Sequence, residues 1–106
     1  MTFRLRILPR AERDAQHFFD WLASRSYDGA VRWWFALDDA IHKLIEHPHD
    51  YGLAPESESV RCELRQFLFK TRRGRRYRGV FTVIGDEVLV LRIRGPGQIP
   101  LAPDEL

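Results

Sequence analysis

The chain has 106 residues, the length of one domain, and its 17 Lys and Arg against 15 Asp and Glu give a net charge of +2. Cys62 is the single cysteine, which excludes an internal disulfide and a CxxC metal site and favours a reducing cytoplasm. The first ten residues lack the apolar run of a signal peptide. No segment has the roughly 20 apolar residues that span a bilayer, so we expect a cytoplasmic protein without a membrane partner.

The N-terminal third predicts a strand and a helix. Residues 3–8 alternate apolar residues with arginine, which is typical of a strand with one buried face, and Pro9 ends it. In residues 10–24 apolar side chains recur at spacings of three and four, the pattern of an amphipathic helix.

A second helix is predicted after a short turn. Asp28 is the expected N-cap, and Pro48 is expected to end the helix. Of the adjacent tryptophans, Trp34 falls on the apolar stripe, so Trp33 is expected to be partly exposed or to lie under the first helix. Two helices joined by so few residues form an antiparallel hairpin.

The C-terminal half returns to a period of two. Strands are predicted for residues 60–71, 76–84 and 87–94, and Gly85-Asp86 is a two-residue hairpin loop. Three prolines predict an irregular tail over residues 95–106. The order β-α-α-β-β-β predicts a single α+β domain over residues 1–106, an antiparallel sheet with the N-terminal helical hairpin packed on one face.

Positive charge is concentrated in the second half of the chain. Residues 1–58 hold seven Lys and Arg against ten acids, whereas residues 59–106 hold ten against five. Within residues 69–79 the basic side chains are Lys70, Arg72, Arg73, Arg75, Arg76 and Arg78. Such clustering favours a site for phosphates or an acidic partner, and the alternative is a solvated hairpin tip.

The two-residue loop fixes a predicted register for the last hairpin. Both faces of this hairpin are apolar near the turn, but one helical hairpin covers only one of them. We therefore predict an exposed apolar strip that binds a protein partner, formed by Phe81, Val83, Val88 and Val90. The alternative is that the C-terminal tail covers this strip. The same register places Tyr77, Arg92 and Arg94 on one side.

A cluster of histidines does not predict a metal site. His42 and His47 are five residues apart, whereas neighbours on one helical face are three or four apart. His49 and Asp50 follow in a loop. We expect neither a metal nor a cofactor.

Three short motifs resemble the RelE/ParE superfamily of type II toxins. Pro9, Ala11 and Asp14 match its opening strand and helix, and the segment LIEHP at residues 44–48 matches the end of its second helix. Residues 64–94 match its leucine-arginine pair, basic hairpin, Tyr-Arg pair and apolar strand. Each motif is short, but their order and spacing together are specific.

The resemblance implies a growth inhibitor that a cognate antitoxin neutralises by wrapping its sheet and helices. The apolar strip of the last hairpin is the antitoxin-binding surface that we predict on this basis. In the superfamily, the RelE branch cleaves mRNA on the ribosome without a metal, using arginines, lysines and a tyrosine or histidine near the last strand. The ParE branch instead poisons DNA gyrase and lacks that catalytic set.

The tail departs from the nuclease pattern, because no histidine, tyrosine, lysine or arginine follows Arg94. The candidate catalytic residues are then Arg65, from the leucine-arginine pair, with Tyr77, Arg92 and Arg94. A tyrosine has an ordinary pKa of about 10, so Tyr77 needs the two arginines to lower it before it serves as a base. The absence of such residues after Arg94 favours a non-nucleolytic toxin, and the resemblance to the ParE branch then implies DNA gyrase as its target. The alternatives are a ribosome-dependent mRNA endonuclease and a non-toxic relative that binds nucleic acid.

Overall fold

The computed structural model describes residues 3–106 and has the predicted order of elements. The N-terminal elements are β1 (Arg4–Ile7), α1 (Pro9–Ala23) and α2 (Tyr27–Leu44). The remaining strands are β2 (Arg65–Phe69), β3 (Tyr77–Ile84) and β4 (Glu87–Arg94). Single 3-10 turns occur at Pro48–Asp50, Pro55–Ser59 and Pro103–Glu105. The predicted α+β fold class is confirmed.

The four strands form one sheet in the order β1-β4-β3-β2. The pairs β2–β3 and β3–β4 are antiparallel as predicted, but β1 runs parallel to β4, so the sheet is mixed and the prediction of a wholly antiparallel sheet is wrong. A parallel pair needs a long connection between its strands, and the helical hairpin with β2 and β3 supplies it. The helices cover one face of this sheet.

The predicted register of the last hairpin holds only near its turn. Phe81 pairs with Val90 as expected, but Val80 pairs with Arg92, which leaves Leu91 as an extra residue on β4. Such a bulge shifts all later pairs by one residue, and no sequence pattern marked it. The predicted register beyond the bulge is therefore wrong.

The bulge separates residues that were predicted to lie together. Arg94 lies opposite Arg78 rather than Tyr77. Tyr77 packs in the core beneath the helices. Because successive residues of a strand face opposite sides, Arg78 faces the other side of the sheet, and Arg94 faces that side with it.

Both helices begin where the sequence supplies a start signal. Pro9 occupies the first turn of α1, where its missing N–H costs nothing. Ser26, and not the predicted Asp28, caps α2, because its hydroxyl accepts a 3.0 Å hydrogen bond from the N–H of Gly29. Within residues 3–106, no helix is long and apolar enough to cross a membrane.

The main core lies between the helices and the sheet, and it reverses the prediction for the tryptophans. Trp33 is 2% exposed and packs against Phe69 and Tyr77, whereas Trp34 is 43% exposed. Trp33 lies on the same side of α2 as the buried Leu37. Only the tryptophan of the predicted stripe is wrong, since either Trp33 or Trp34 continues an apolar spacing of three or four to Leu37.

The predicted antitoxin-binding strip is part of this core, so that prediction is wrong. Phe81, Val88 and Val90 have no exposed surface, and Val83 packs against the same cluster. The helices cover the side of the hairpin that was predicted to be exposed. Alternation fixed which residues share a face but not which face the helices take.

The opposite face of the sheet is also covered. Val80 of β3 is fully buried there with Ala54 and Leu64 from the segment before β2, and with Leu101 from the tail. The tail of residues 95–106 is largely irregular, as predicted, but it packs on this outer face. The tail therefore does not cover the predicted apolar strip, as the alternative held, but the opposite face of the sheet.

A buried ion pair holds the outer layer together. Glu56 is 1% exposed, and its carboxylate accepts hydrogen bonds of 2.9 and 2.5 Å from the guanidinium of Arg78. The N–H of Leu101 donates a third bond of 2.9 Å to the same carboxylate. Glu56 therefore ties the segment before β2, the strand β3 and the tail to one point.

Burial alone would raise the pKa of Glu56, because it disfavours the charged form. Hydrogen bonds from Arg78, from the Leu101 N–H and from its own backbone, with the charge of Arg78, outweigh burial and hold the pKa below its ordinary value. Ionised Glu56 thus stabilises the fold above the unfolded-chain pKa of about 4.3. This stabilisation is lost as the pH falls from there through the folded-state pKa.

We expect Glu56→Gln to lower the free energy of unfolding at pH 7 by about 3 to 5 kcal/mol, because it leaves Arg78 without a counter-charge. The variant should also lose part of the acid-induced destabilisation below about pH 4.3. Urea unfolding at several pH values measures both effects. The control is Asp39→Asn, which breaks the exposed Asp39–Lys43 pair and should cost less than about 0.5 kcal/mol. Equal losses in the two variants would contradict a central role for Glu56.

Candidate functional site

The densest free positive charge lies in the connection between β2 and β3, residues 70–76, which we call the basic loop. A turn closes it, in which the N–H of Gly74 donates a 3.2 Å hydrogen bond to the carbonyl of Thr71. Its five exposed cations are Lys70, Arg72, Arg73, Arg75 and Arg76. Within the described residues 3–106, none of them forms a salt bridge. The loop therefore presents uncompensated charge that suits phosphate or carboxylate groups.

Arg78 does not belong to this surface, although the sequence grouped it there. It lies within β3 and faces the outer layer, where Glu56 neutralises its charge. An arginine held by a buried carboxylate is not available to a macromolecule in solution. Arg78 is therefore a structural residue, and the basic cluster has five cations rather than the predicted six.

Tyr77 is enclosed by aromatic rings rather than by arginines. The ring centroids of Phe18, Trp33 and Phe69 lie 5.2, 5.4 and 5.7 Å from its own. Burial raises the pKa of Tyr77, and the opposing charge of Arg75 is the smaller effect. The expectation that Arg92 and Arg94 lower this pKa is wrong, since the bulge places them on the other face of the sheet. A phenol with a raised pKa is a poor general base at neutral pH.

Arg65 and Arg92 are each fixed by the scaffold. Arg65 donates hydrogen bonds to the carbonyl of Tyr51 and, at 3.0 Å, to the carboxylate of Glu63. Arg92 forms a two-point pair with Asp14 of α1 at 2.7 and 3.0 Å and also donates to the carbonyl of Glu105. Asp14 further accepts from the N–H of Ile93, so this pair anchors α1 to β4.

Arg94 is the least neutralised of the candidate catalytic arginines. It donates a 2.8 Å hydrogen bond to the carbonyl of Ile99, while its buried Nε has no partner within residues 3–106. Burial and the nearby charges of Arg92 and Arg78 lower its pKa. Arg94 and Arg92 share the outer face, Arg65 and Tyr77 lie on the helix side, and so the four predicted residues do not converge.

A groove between the two helices is the second feature with functional character. The alanines Ala11 and Ala15 of α1 leave a cavity of about 380 Å³ above Val90, because their side chains fill little space. Trp34 and Asp38 of α2 line its opposite side. We call this cavity the interhelical groove.

Sequence reasoning missed two features, the buried Glu56 and the interhelical groove. Glu56 lies in a segment of turn-forming residues, where nothing distinguishes a buried acid from a solvated one. The interhelical groove had a detectable signal, because two alanines four residues apart on the buried stripe of α1 leave room beside α2. No group of three metal-ligating side chains occurs within residues 3–106.

A helical hairpin packed on a four-stranded mixed sheet is consistent with the fold of RelE/ParE toxins. The sequence model of one family, described as the ParE toxin of the type II toxin-antitoxin system parDE, matches residues 5–100. The chain belongs to this family, whose members are toxins with a cognate antitoxin as partner. No curated protein matches the chain.

The motif residues that carried the resemblance have structural tasks. Pro9 starts α1, Ala11 is fully buried, and Asp14 binds Arg92 and the backbone of β4. In the Tyr-Arg pair, Tyr77 packs in the aromatic core, and Arg78 binds Glu56 on the opposite face of the sheet. These residues therefore join the helices and the outer layer to the sheet.

We expect Tyr77→Phe to leave growth inhibition within about twofold of the wild type, because the ring and its aromatic contacts are kept. Tyr77→Ala should instead destabilise the protein by about 3 to 5 kcal/mol and reduce toxicity through unfolding. Growth of induced cells and thermal melting of the purified variants test the two effects. A Tyr77→Phe protein that melts like the wild type but is not toxic would show that the hydroxyl is catalytic.

Proposed function

We propose that this toxin acts on DNA gyrase in the manner of ParE rather than by cleaving mRNA. The observation that supports the proposal is the dispersal of the predicted catalytic residues over both faces of the sheet. Metal-free RNA cleavage needs a base, an acid and cations around one phosphate. Tyr77 is buried with a raised pKa, and Arg92 is paired with Asp14.

The basic loop is the proposed contact surface for the target. Its cations are exposed and form no salt bridge within residues 3–106, so they remain free to pair with an approaching anionic surface. Gyrase engaged with DNA offers phosphates and acidic side chains together. Binding through several phosphate contacts depends steeply on salt, and each contact adds nearly one unit to the log–log slope.

We expect the purified protein to inhibit supercoiling by gyrase and to leave ribosome-bound mRNA intact. Replacing Arg72, Arg73 and Arg76 together by Ser should reduce the inhibition by at least about tenfold, because three uncompensated cations are lost. Gel assays of plasmid supercoiling and primer extension on translated mRNA measure the two activities.

The matched control replaces Arg6, Arg13 and Arg32 by Ser, since these arginines are also exposed and the change in net charge is the same. The control should inhibit gyrase like the wild type. Cleaved mRNA with unaffected supercoiling would refute the gyrase proposal and favour the nuclease alternative. Undiminished inhibition by the loop variant would retain gyrase as the target but remove the basic loop from the contact.

The interhelical groove is the proposed binding site of the antitoxin. Its floor is apolar, and its rim carries the exposed acids Glu12 and Asp38. Trp34, at 43% exposed, extends the apolar surface out of the groove. An amphipathic helix with apolar residues on one side and basic residues beside them complements this shape and charge. The groove replaces the buried hairpin strip as the candidate for this contact.

We expect Trp34→Glu to leave the toxin folded and toxic but to weaken its neutralisation by the antitoxin by at least about tenfold, because it places a charge beside an apolar contact. The control is Phe35→Glu, since Phe35 is 67% exposed and does not line the groove. Co-expression of toxin and antitoxin reports growth, and calorimetry reports affinity. Equal neutralisation of both variants would place the antitoxin elsewhere.

A further inference from the structure

A second cavity, of about 540 Å³, lies at the end of the molecule where the basic loop meets the helical hairpin. Its walls come from the C-terminal half of α1, the start of α2, the loop between β2 and β3, and the turn that follows β4. The volume lies within the range of about 300 to 1,000 Å³ that is typical of small-molecule sites. Neither the family assignment nor the proposed gyrase contact accounts for it.

The walls of this cavity are aromatic. Phe18, Trp21, Trp33 and Tyr77 all line it. Phe18 and Tyr77 meet edge to face with ring centroids 5.2 Å apart, and this contact with the core fixes both rings. Trp21 is 48% exposed at the outer side, a large apolar surface for a small protein to leave in water. Rings arranged in this way suit a flat aromatic ligand.

The charge around the cavity is positive. Arg25 stacks over the ring of Trp21 at 3.9 Å, and Arg75 of the basic loop lines the same cavity. Within residues 3–106, neither arginine forms a salt bridge, and none of the residues lining the cavity is Asp or Glu. Two unpaired guanidinium groups at one opening are suited to a phosphate, whose oxygens they bind in pairs.

Trp33 contributes ring surface to the cavity rather than a hydrogen bond. It is 2% exposed, and its Nε1–H is enclosed and makes no hydrogen bond within the described part of the chain. The rings of Phe18 and Trp21 are more exposed than that of Trp33, so they are the main aromatic surface that a ligand would meet.

We propose that this cavity binds a single unpaired nucleotide. Its base lies among the aromatic rings, while its phosphate binds Arg25 and Arg75. The same chemistry is found in a free nucleotide and in an unpaired nucleotide of a single strand, whereas a base held inside a duplex does not reach the aromatic walls. The inference is independent of gyrase as the target, since it concerns binding by the isolated protein.

The indole N–H signal of Trp21, whose half-exposed ring lines the cavity, reports binding in a ¹⁵N NMR spectrum, and Trp21→Phe identifies it among the three tryptophan signals. The ligands to be compared are AMP, adenosine, inorganic phosphate, an oligodeoxyadenylate of about five nucleotides and the same strand in a duplex. We expect the signal to shift with AMP, with the single strand, or with both. A shift with AMP identifies free nucleotides as sufficient, and a shift with the strand alone identifies an unpaired base of nucleic acid.

Arg25→Ser should weaken the binding of the ligand that shifts this signal by about tenfold, because a charge-assisted contact to the phosphate is lost. Arg13→Ser is the control, as it removes an equal exposed charge outside the cavity and should bind like the wild type. Three results would overturn the proposal. They are an unshifted signal with AMP up to about 10 mM and with the single strand, equal binding of phosphate and AMP, and equal binding of duplex and single strand.

Discussion

The structure depends on one constraint, which is that the β3–β4 hairpin is apolar on both faces and needs cover on both. The helical hairpin buries Phe81 and Val90 on one side, and the tail with the segment before β2 buries Val80 on the other. The second layer has little apolar surface and no regular element longer than a 3-10 turn. The three hydrogen bonds received by buried Glu56 compensate for this deficit, because they fix β3 and the tail to one carboxylate.

The distribution of acids decides which arginines remain free for function. Asp14 and Glu56 each neutralise an arginine that the sequence made a candidate for binding or catalysis, and in doing so they join α1 and the outer layer to the sheet. The basic loop connects β2 to β3, and within the described part of the chain none of its cations forms a salt bridge. Function is therefore expected where the scaffold leaves charge unpaired, at the loop and at the cavity beside Arg25 and Arg75.

The helical hairpin fills the core with its large side chains and leaves a groove beside its small ones. Leu37, Ile41 and Trp33 of α2 fill the core, whereas Ala11 and Ala15 of α1 are too small to close the gap between the helices. The resulting groove has an apolar floor, and no residue of the basic loop lines it. The proposed antitoxin site and the proposed target surface therefore share no residue.

The sequence by itself determined the order of the elements, the helix-forming and strand-forming periods, the cluster of basic residues and the resemblance to the toxin superfamily. These follow from local spacing and from short motifs, which need no knowledge of distant contacts. Tertiary structure alone decided which face of the hairpin the helices cover, which tryptophan is buried, and that Leu91 forms a bulge. The physical reason is that a hairpin with two apolar faces has no local preference between them, so packing of the helices and the buried charge of Glu56 make the choice.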